Sequence, residues 1–285
     1  MKSNIKVSLS QLRNEQYEHH NDKRFPEMHQ LYRSPYSWFK ARFYMELSSI
    51  CVYFLLKTNL NPNTITIAYC LAAVVGAALI ASANSSLVII GVFIFFSKGI
   101  LDWSDGHYAR KIGKTSLTGH ILDVYGATLG SVCLGVGLGI FVEARNESIL
   151  VHYLIILFPI FRILLLTNYS LSILFKKILD SDYSHDKASK ASEKIKKVEI
   201  RDSSIFSFAY KLIYNILDDR SRTVDFIGFI IILDLYFNSN YTYYLFIIWS
   251  IKWCVAYIGS FYVVAKGGWV ENENKAIIKS IISNY

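Results

Sequence analysis

The 285-residue sequence is poor in charge, proline and cysteine. Only 18% of its residues are charged and 53% are hydrophobic, which is too apolar for an ordinary soluble domain. With four prolines in the whole chain, long stretches run without a helix breaker. The four cysteines (Cys51, Cys70, Cys133 and Cys254) are each embedded in apolar sequence, and none forms a CxxC pair. A disulfide framework and a thiolate metal site are thereby excluded, and buried free thiols are expected. The seven histidines are scattered, and the one adjacent pair, His19-His20, lies in a polar tail. Neither a Gly-x-Gly-x-x-Gly turn nor a Walker-type loop occurs, which removes the usual soluble nucleotide-binding signatures. Residues 1–35 are polar with no apolar core, so a cleaved signal peptide is not expected there.

What the chain does have is long apolar runs. Six are expected to be transmembrane helices, at about 64–83, 87–110, 119–142, 150–174, 223–237 and 242–264. Upstream of them, from Tyr36 to about Leu60, Trp38, Phe39 and Tyr44 interleave with Lys40 and Arg42. Such a mixture suits an amphipathic helix lying in the membrane interface. The Asn61-Pro62-Asn63-Thr64 segment then stops one helix and caps the next. A polar loop follows the fourth span at 176–222, and its 205–216 part has amphipathic spacing. The fold class is therefore all-α: a polytopic membrane protein, with a polar N-terminal extension (1–35) and one membrane domain (36–285).

Charge sets the orientation. The turns at 84–86, 143–149 and 238–241 hold Arg145 as their one basic residue, while the loops and termini on the other side carry most of the Lys and Arg. That bias predicts both termini and the 176–222 loop to be cytoplasmic. The formal net charge of +8 flanks apolar spans, so anionic membrane lipid is a simpler partner than nucleic acid. Gly126-x-x-x-Gly130 and Gly135-x-x-x-Gly139 in the third span predict close helix packing.

Chemistry concentrates where the second span ends. Asp102-Trp103-Ser104-Asp105-Gly106-His107-Tyr108-Ala109-Arg110 is followed by Gly119 and Asp123. Ionised carboxylates at membrane depth are costly, so a cluster of them marks a functional site. At about 100° per residue, Asp102, Asp105, Gly106 and Ala109 share one helix face, and Asp123 at the start of the third span can face them. Converging carboxylates without neutralising partners suit hard divalent cations, and Mg²⁺ typically combines one or two carboxylates with phosphate oxygens. Gly106 and Ala109 remove side-chain bulk, and Arg110 can fork onto a phosphate.

These residues resemble the signature of the CDP-alcohol phosphotransferase family, D-x-x-D-G-x-x-A-R, about eight residues, then G-x-x-x-D-x-x-x-D. Seven of the eight motif positions match; the last is Ala127 instead of Asp. The resemblance implies an integral membrane transferase. Such an enzyme moves a phospho-alcohol from a CDP-linked donor, CDP-diacylglycerol or a small CDP-alcohol, to an acceptor hydroxyl and releases CMP. It implies a two-metal Mg²⁺ or Mn²⁺ site held by Asp102, Asp105 and Asp123, which would also be catalytic, and a nucleotide site at Gly106, Ala109, Arg110 and Gly119. Asn63 and Thr66, in a Pro-Asn-x-x-Thr segment that the family also favours, would bond the nucleotide end. A homodimer, a role in phospholipid or related lipid or glycan synthesis, a cytoplasmic active site and a bacterial inner-membrane location are further implications.

In the family the missing carboxylate is thought to act as base, so Ala127 leaves several readings open. Transfer with a substitute base such as His120, or with His107 or a metal-bound oxygen, is one. A nucleotide- or lipid-binding homologue without transfer, or an engineered inactive variant, is another. A transporter using the carboxylates for a coupling ion would predict helix breaks in mid-membrane, whereas most breaks here lie at span ends. Lys98, one turn before Asp102, can pair with it or meet an anionic substrate. Arg162, deep in the fourth span, is read as a ligand for an acceptor phosphate or as a carboxylate partner. Asp234, near the end of the fifth span, is read as solvated.

Overall fold

The computed structural model describes residues 7–21, 35–181 and 222–267. The amphipathic 205–216 segment and the C-terminal tail beyond 267 lie outside the described residues. Those described are helical, with no strand among them. In chain order the helices are α1 (Leu9–Asn21), α2 (Pro35–Leu55), α3 (Pro62–Ala81), α4 (Ser85–Lys111), α5 (Leu117–Asn146), α6 (Ile149–Ser181), α7 (Arg222–Phe237) and α8 (Tyr241–Gly267).

Four helices are long and apolar enough to cross a membrane: Pro62–Ala81, Ser85–Lys111, Thr118–Asn146 and Tyr241–Tyr262. Ile149–Leu165 in α6 forms a shorter apolar stretch. Of the six expected spans, four are helices of spanning length among the described residues. At 16 residues α7 is only about 24 Å long, short of the ~30 Å hydrocarbon thickness. Where a polar loop is expected from 176, α6 instead continues to Ser181, because Lys176, Lys177, Ile178 and Leu179 are all good or adequate helix formers.

The chain divides into two compact units, residues 1–152 with 216–246, and residues 153–215 with 247–285. In the first unit, helix starts are fixed by side chains that satisfy orphaned amides. Asn61 accepts from Asn63 N, Asn84 from Ser86 N and Leu87 N, and Ser116 from Gly119 N. Between the apolar helices, small residues decide the distance. A Cβ on Gly91 would stand 2.7 Å from the Gly76 carbonyl oxygen, and one on Gly137 would stand 2.7 Å from that of Ala77. Only glycine lets α4 and α5 approach the α3 backbone this closely. Large apolar side chains such as Leu71, Val75, Ile90 and Phe93 stay exposed, as lipid-facing positions must.

The N-terminal helix α1 packs against α2 and the end of α4. Leu12, fully buried, joins Val52, Ile65 and Tyr108 in one apolar cluster. Around it, Arg13 Nε lies 2.6 Å from Glu46 Oε2, Tyr17 Oη donates to Glu46 Oε1 at 2.8 Å, and Lys111 Nζ meets Glu15 at 2.7 Å. Burial pushes the Glu46 carboxyl up, but the hydrogen bonds from Arg13 and Tyr17 with the guanidinium charges outweigh it. They hold it below its ordinary value.

Asp234 corrects an expectation. It is 1% exposed, not solvated. Its carboxylate accepts from Tyr241 N at 3.1 Å, Thr242 N at 3.2 Å and the Ser239 and Thr242 hydroxyls, and Arg145 Nη1 lies 3.8 Å away. The α7–α8 turn folds the carboxylate over the first amides of α8, where a negative charge is favoured. In the second unit, rings join α6 to α8: Phe158 to Trp249 at 4.7 Å and Phe161 to Tyr257 at 5.6 Å between centroids.

Candidate active site

The site grows from two helix ends. The last turns of α4 carry Asp102, Asp105, Gly106, Ala109 and Arg110. After a short connection, α5 begins at its Ser116 cap and carries Gly119, His120 and Asp123. The start of α3 completes the group with Asn63 and Thr66. Between them lies a pocket of about 240 Å³.

Nine residues singled out in the sequence line this pocket: Asn63 and Thr66 from α3; Asp105, Gly106, Ala109 and Arg110 from α4; and Gly119, His120 and Asp123 from α5. Each carboxylate is oriented by a hydroxyl donor on α3. Thr66 Oγ1 donates to Asp105 Oδ2 at 2.7 Å, and Tyr69 Oη donates to Asp123 Oδ1 at 3.2 Å. Thr66 and Tyr69 are three residues apart, so they rise from the same helix face. The backbone shape is equally specific: a Cβ on Gly119 would meet Ser116 Oγ at 3.2 Å and Asn63 Oδ1 at 3.4 Å.

Asp102 does not line the pocket; it lies one turn deeper along α4. Its Oδ1 is buried without a hydrogen-bond partner, and Lys98 Nζ stands 3.8 Å from it. The i,i+4 pairing expected of Lys98 is therefore present. Lys98 also lies over the Tyr69 ring, 5.0 Å from its centroid. Arg162 belongs to the second unit, where its guanidinium sits 4.4 Å from the centroid of the Trp253 ring. Ala127 is exposed and is not among the pocket residues.

Several contributors were not foreseen. Lys114, Thr115 and Ser116 line the pocket from the α4–α5 connection, and Tyr69 reaches Asp123 from α3. The connection offered a signal, since a lysine and two hydroxyls precede a glycine at a helix start. Tyr69 offered none beyond a hydroxyl in an apolar span.

The arrangement defines a class first: a helical protein with membrane-spanning helices and an acidic pocket at the ends of two of them, edged by Arg110, Lys114 and the N-terminus of α5. Residues 59–210, just over half of the chain, match the family model described as CDP-alcohol phosphatidyltransferase. The chain belongs to that family, a family of transferases that is generally dependent on divalent metal. No curated protein and no solved structure matches it.

The residues present suit such a metal by chemistry. Among the described residues no three His, Cys, Asp or Glu side chains close into a full ligand set. The donors are all carboxylate oxygens, however, and Asp102 Oδ1 is a buried oxygen with no hydrogen bond. One or two carboxylates completed by phosphate and water is the usual habit of Mg²⁺.

Proposed function

We propose that this chain transfers a phospho-alcohol group from a CDP-linked donor to an acceptor hydroxyl and releases CMP. The observation that carries this reading is the convergence on one pocket of nine residues singled out in the sequence, six of them from the motif. Gly106, Ala109 and Gly119 leave room for a nucleotide to lie against the backbone. Asn63 contributes polar groups at one side of it. Arg110 and Lys114 bring positive charge to the phosphates, and the N-terminus of α5 adds amides that favour an anion. Asp102, Asp105 and Asp123 would hold Mg²⁺ or Mn²⁺, which supplies neutralisation of the pyrophosphate and of charge developing on the leaving CMP oxygen. Thr66 and Tyr69 hold two of these carboxylates in place. With Ala at 127, His120 takes the proton of the acceptor hydroxyl: it lines the pocket and lies within electrostatic reach of Asp123. Arg162 is the candidate for an acceptor phosphate.

The same reading places six spans in the membrane as a homodimer, with α6 and α7 completing the four longer helices and the pocket on the cytoplasmic side. It places the product among phospholipids or related lipid or glycan precursors.

One residue favours a second reading. Ala127 removes the carboxylate at the family's base position, so a homologue that binds nucleotide without transferring would look like this chain. Mg²⁺-dependent CMP release from CDP-diacylglycerol and from small CDP-alcohols, with a panel of alcohol acceptors, separates the two. Release by the unaltered chain is the expected result. Release only by Ala127→Asp would establish an intact site that lacks its base. Nucleotide binding without release from either protein would establish the binding homologue.

A further inference from the structure

Lys98 is a buried cation that the transfer chemistry does not require, set beside Asp102, the motif carboxylate that does not line the pocket. Its residue exposure is 7%. The ammonium lies 3.8 Å from Asp102 Oδ1 and over the ring of Tyr69, the residue that also bonds Asp123. Its position is marked from three sides. The end of its side chain packs against Gly130 of α5, where a Cβ would stand 2.9 Å from Lys98 Cε and 3.1 Å from Nζ. The ammonium is therefore enclosed by an α3 ring, an α4 carboxylate and an α5 glycine.

Charge then limits what else the site can hold. Four carboxylates balance two divalent cations. Here residue 127 is Ala, so three carboxylates remain, and Lys98 offsets one of them. Two negative charges are left, enough to balance one divalent cation. A second dication next to Asp102 would also face the ammonium directly, in a setting partly shielded from water where like charges repel strongly. Loss of the carboxylate and gain of the lysine act in the same direction.

We propose that the site binds a single divalent cation and that the Lys98 ammonium stands where a second ion would otherwise be needed. This rests on the metal site of the proposed function. It goes beyond it, because the resemblance by itself implies two ions. The ammonium is a fixed charge that holds Asp102 and keeps a second ion from being recruited. In place of the three-carboxylate set of the proposed function, the single ion is shared by Asp105 and Asp123, the two carboxylates that line the pocket, while Asp102 pairs with Lys98.

Electron paramagnetic resonance of the purified full chain, titrated with Mn²⁺ in the absence of nucleotide, reads this directly. The loss of the free six-line signal counts bound ions. Two ions in a dinuclear site, about 3.5–4 Å apart, would couple and alter the bound spectrum. The expected result is one Mn²⁺ per chain with an uncoupled spectrum, and two coupled ions in Lys98→Met/Ala127→Asp. Two coupled ions in the unaltered chain would overturn the inference while leaving the proposed metal site standing. No bound Mn²⁺ at all would overturn both. The stoichiometry of the unaltered chain decides the matter even if the double variant does not fold.

Discussion

At the residue scale, the site depends on a few hydrogen bonds that orient charge. Thr66 Oγ1 is buried and donates to Asp105 at 2.7 Å. A hydrogen bond to a charged group is worth about 1.5–3 kcal/mol, which corresponds to roughly tenfold or more in rate if it is lost in the transition state. Thr66→Val, nearly isosteric, should lower kcat/KM for the CDP-linked donor by at least about tenfold and leave the thermal transition of the protein little changed. Unchanged kinetics would show that Asp105 is held by other means. The contributions of Thr66 and Tyr69 differ in how far they were readable. Thr66 belongs to a Pro-Asn-x-x-Thr pattern that names it in advance. Tyr69 is one more aromatic in a chain with 20 tyrosines. Its role appears only when α5 comes close enough, at Gly126, for its ring to pass beneath: a Cβ there would collide with the ring.

At the element scale, two polar locks hold helices that hydrophobic burial alone would leave free to slide. One is Asp234, which gathers the first amides of α8 and faces Arg145. Removing one partner of a buried charged pair typically costs about 3–5 kcal/mol, because the other is left uncompensated. Asp234→Ala should therefore lower the thermal transition of the solubilised protein by several degrees, far more than Asp234→Asn, which keeps an acceptor for the amides. Equal effects of the two would assign the lock to packing instead.

The other lock joins α1 to α2 through Glu46. Its carboxyl is held below the ordinary value, so its contribution is fully present above the unfolded pKa, near 4.3, and is lost as pH falls through the folded value. The protection of the α1 amides, taken as the observed exchange rate relative to the intrinsic rate at each pH, should be high at pH 6 and fall below about pH 4.3. In Glu46→Gln the acid-dependent step should be absent. A pH-independent protection factor in the unaltered chain would show that the Leu12 cluster alone docks α1. Neither lock was legible beforehand. A lone Asp near a span end and a Glu in an aromatic, basic stretch carry no pattern, and their partners lie far away in sequence.

At the scale of the whole molecule, orientation is the property with the widest consequences. The charge bias of the sequence predicts one side of the membrane for most of the Lys and Arg, and the pocket proposed to take the nucleotide is lined in part by Lys114 to Ser116 of a connection predicted on that side. In a cysteine-free background, Lys114→Cys and Asn238→Cys should label from opposite faces of sealed inverted vesicles, with residue 114 on the cytoplasmic face. Labelling of both from one face would overturn the six-span arrangement. The count of spans is where length rules are weakest. The 16-residue α7 is apolar but short, while α6 runs 33 residues with Pro159 inside. Composition marks both as apolar and leaves their crossing to be tested.

The sequence by itself determined the all-helical class, the approximate ends of α3, α4 and α5, and nine of the residues that meet in the pocket. Those features follow from local rules: apolar length, capping side chains, and a fixed angle per residue that puts spaced carboxylates on one face. The tertiary structure alone decided that Asp102 stays behind the pocket with Lys98, that Tyr69 reaches Asp123, and that Asp234 is buried. Those features depend on how closely neighbouring helices approach, and that distance is set by glycines and rings brought together from distant parts of the chain, where no periodicity along the sequence records it.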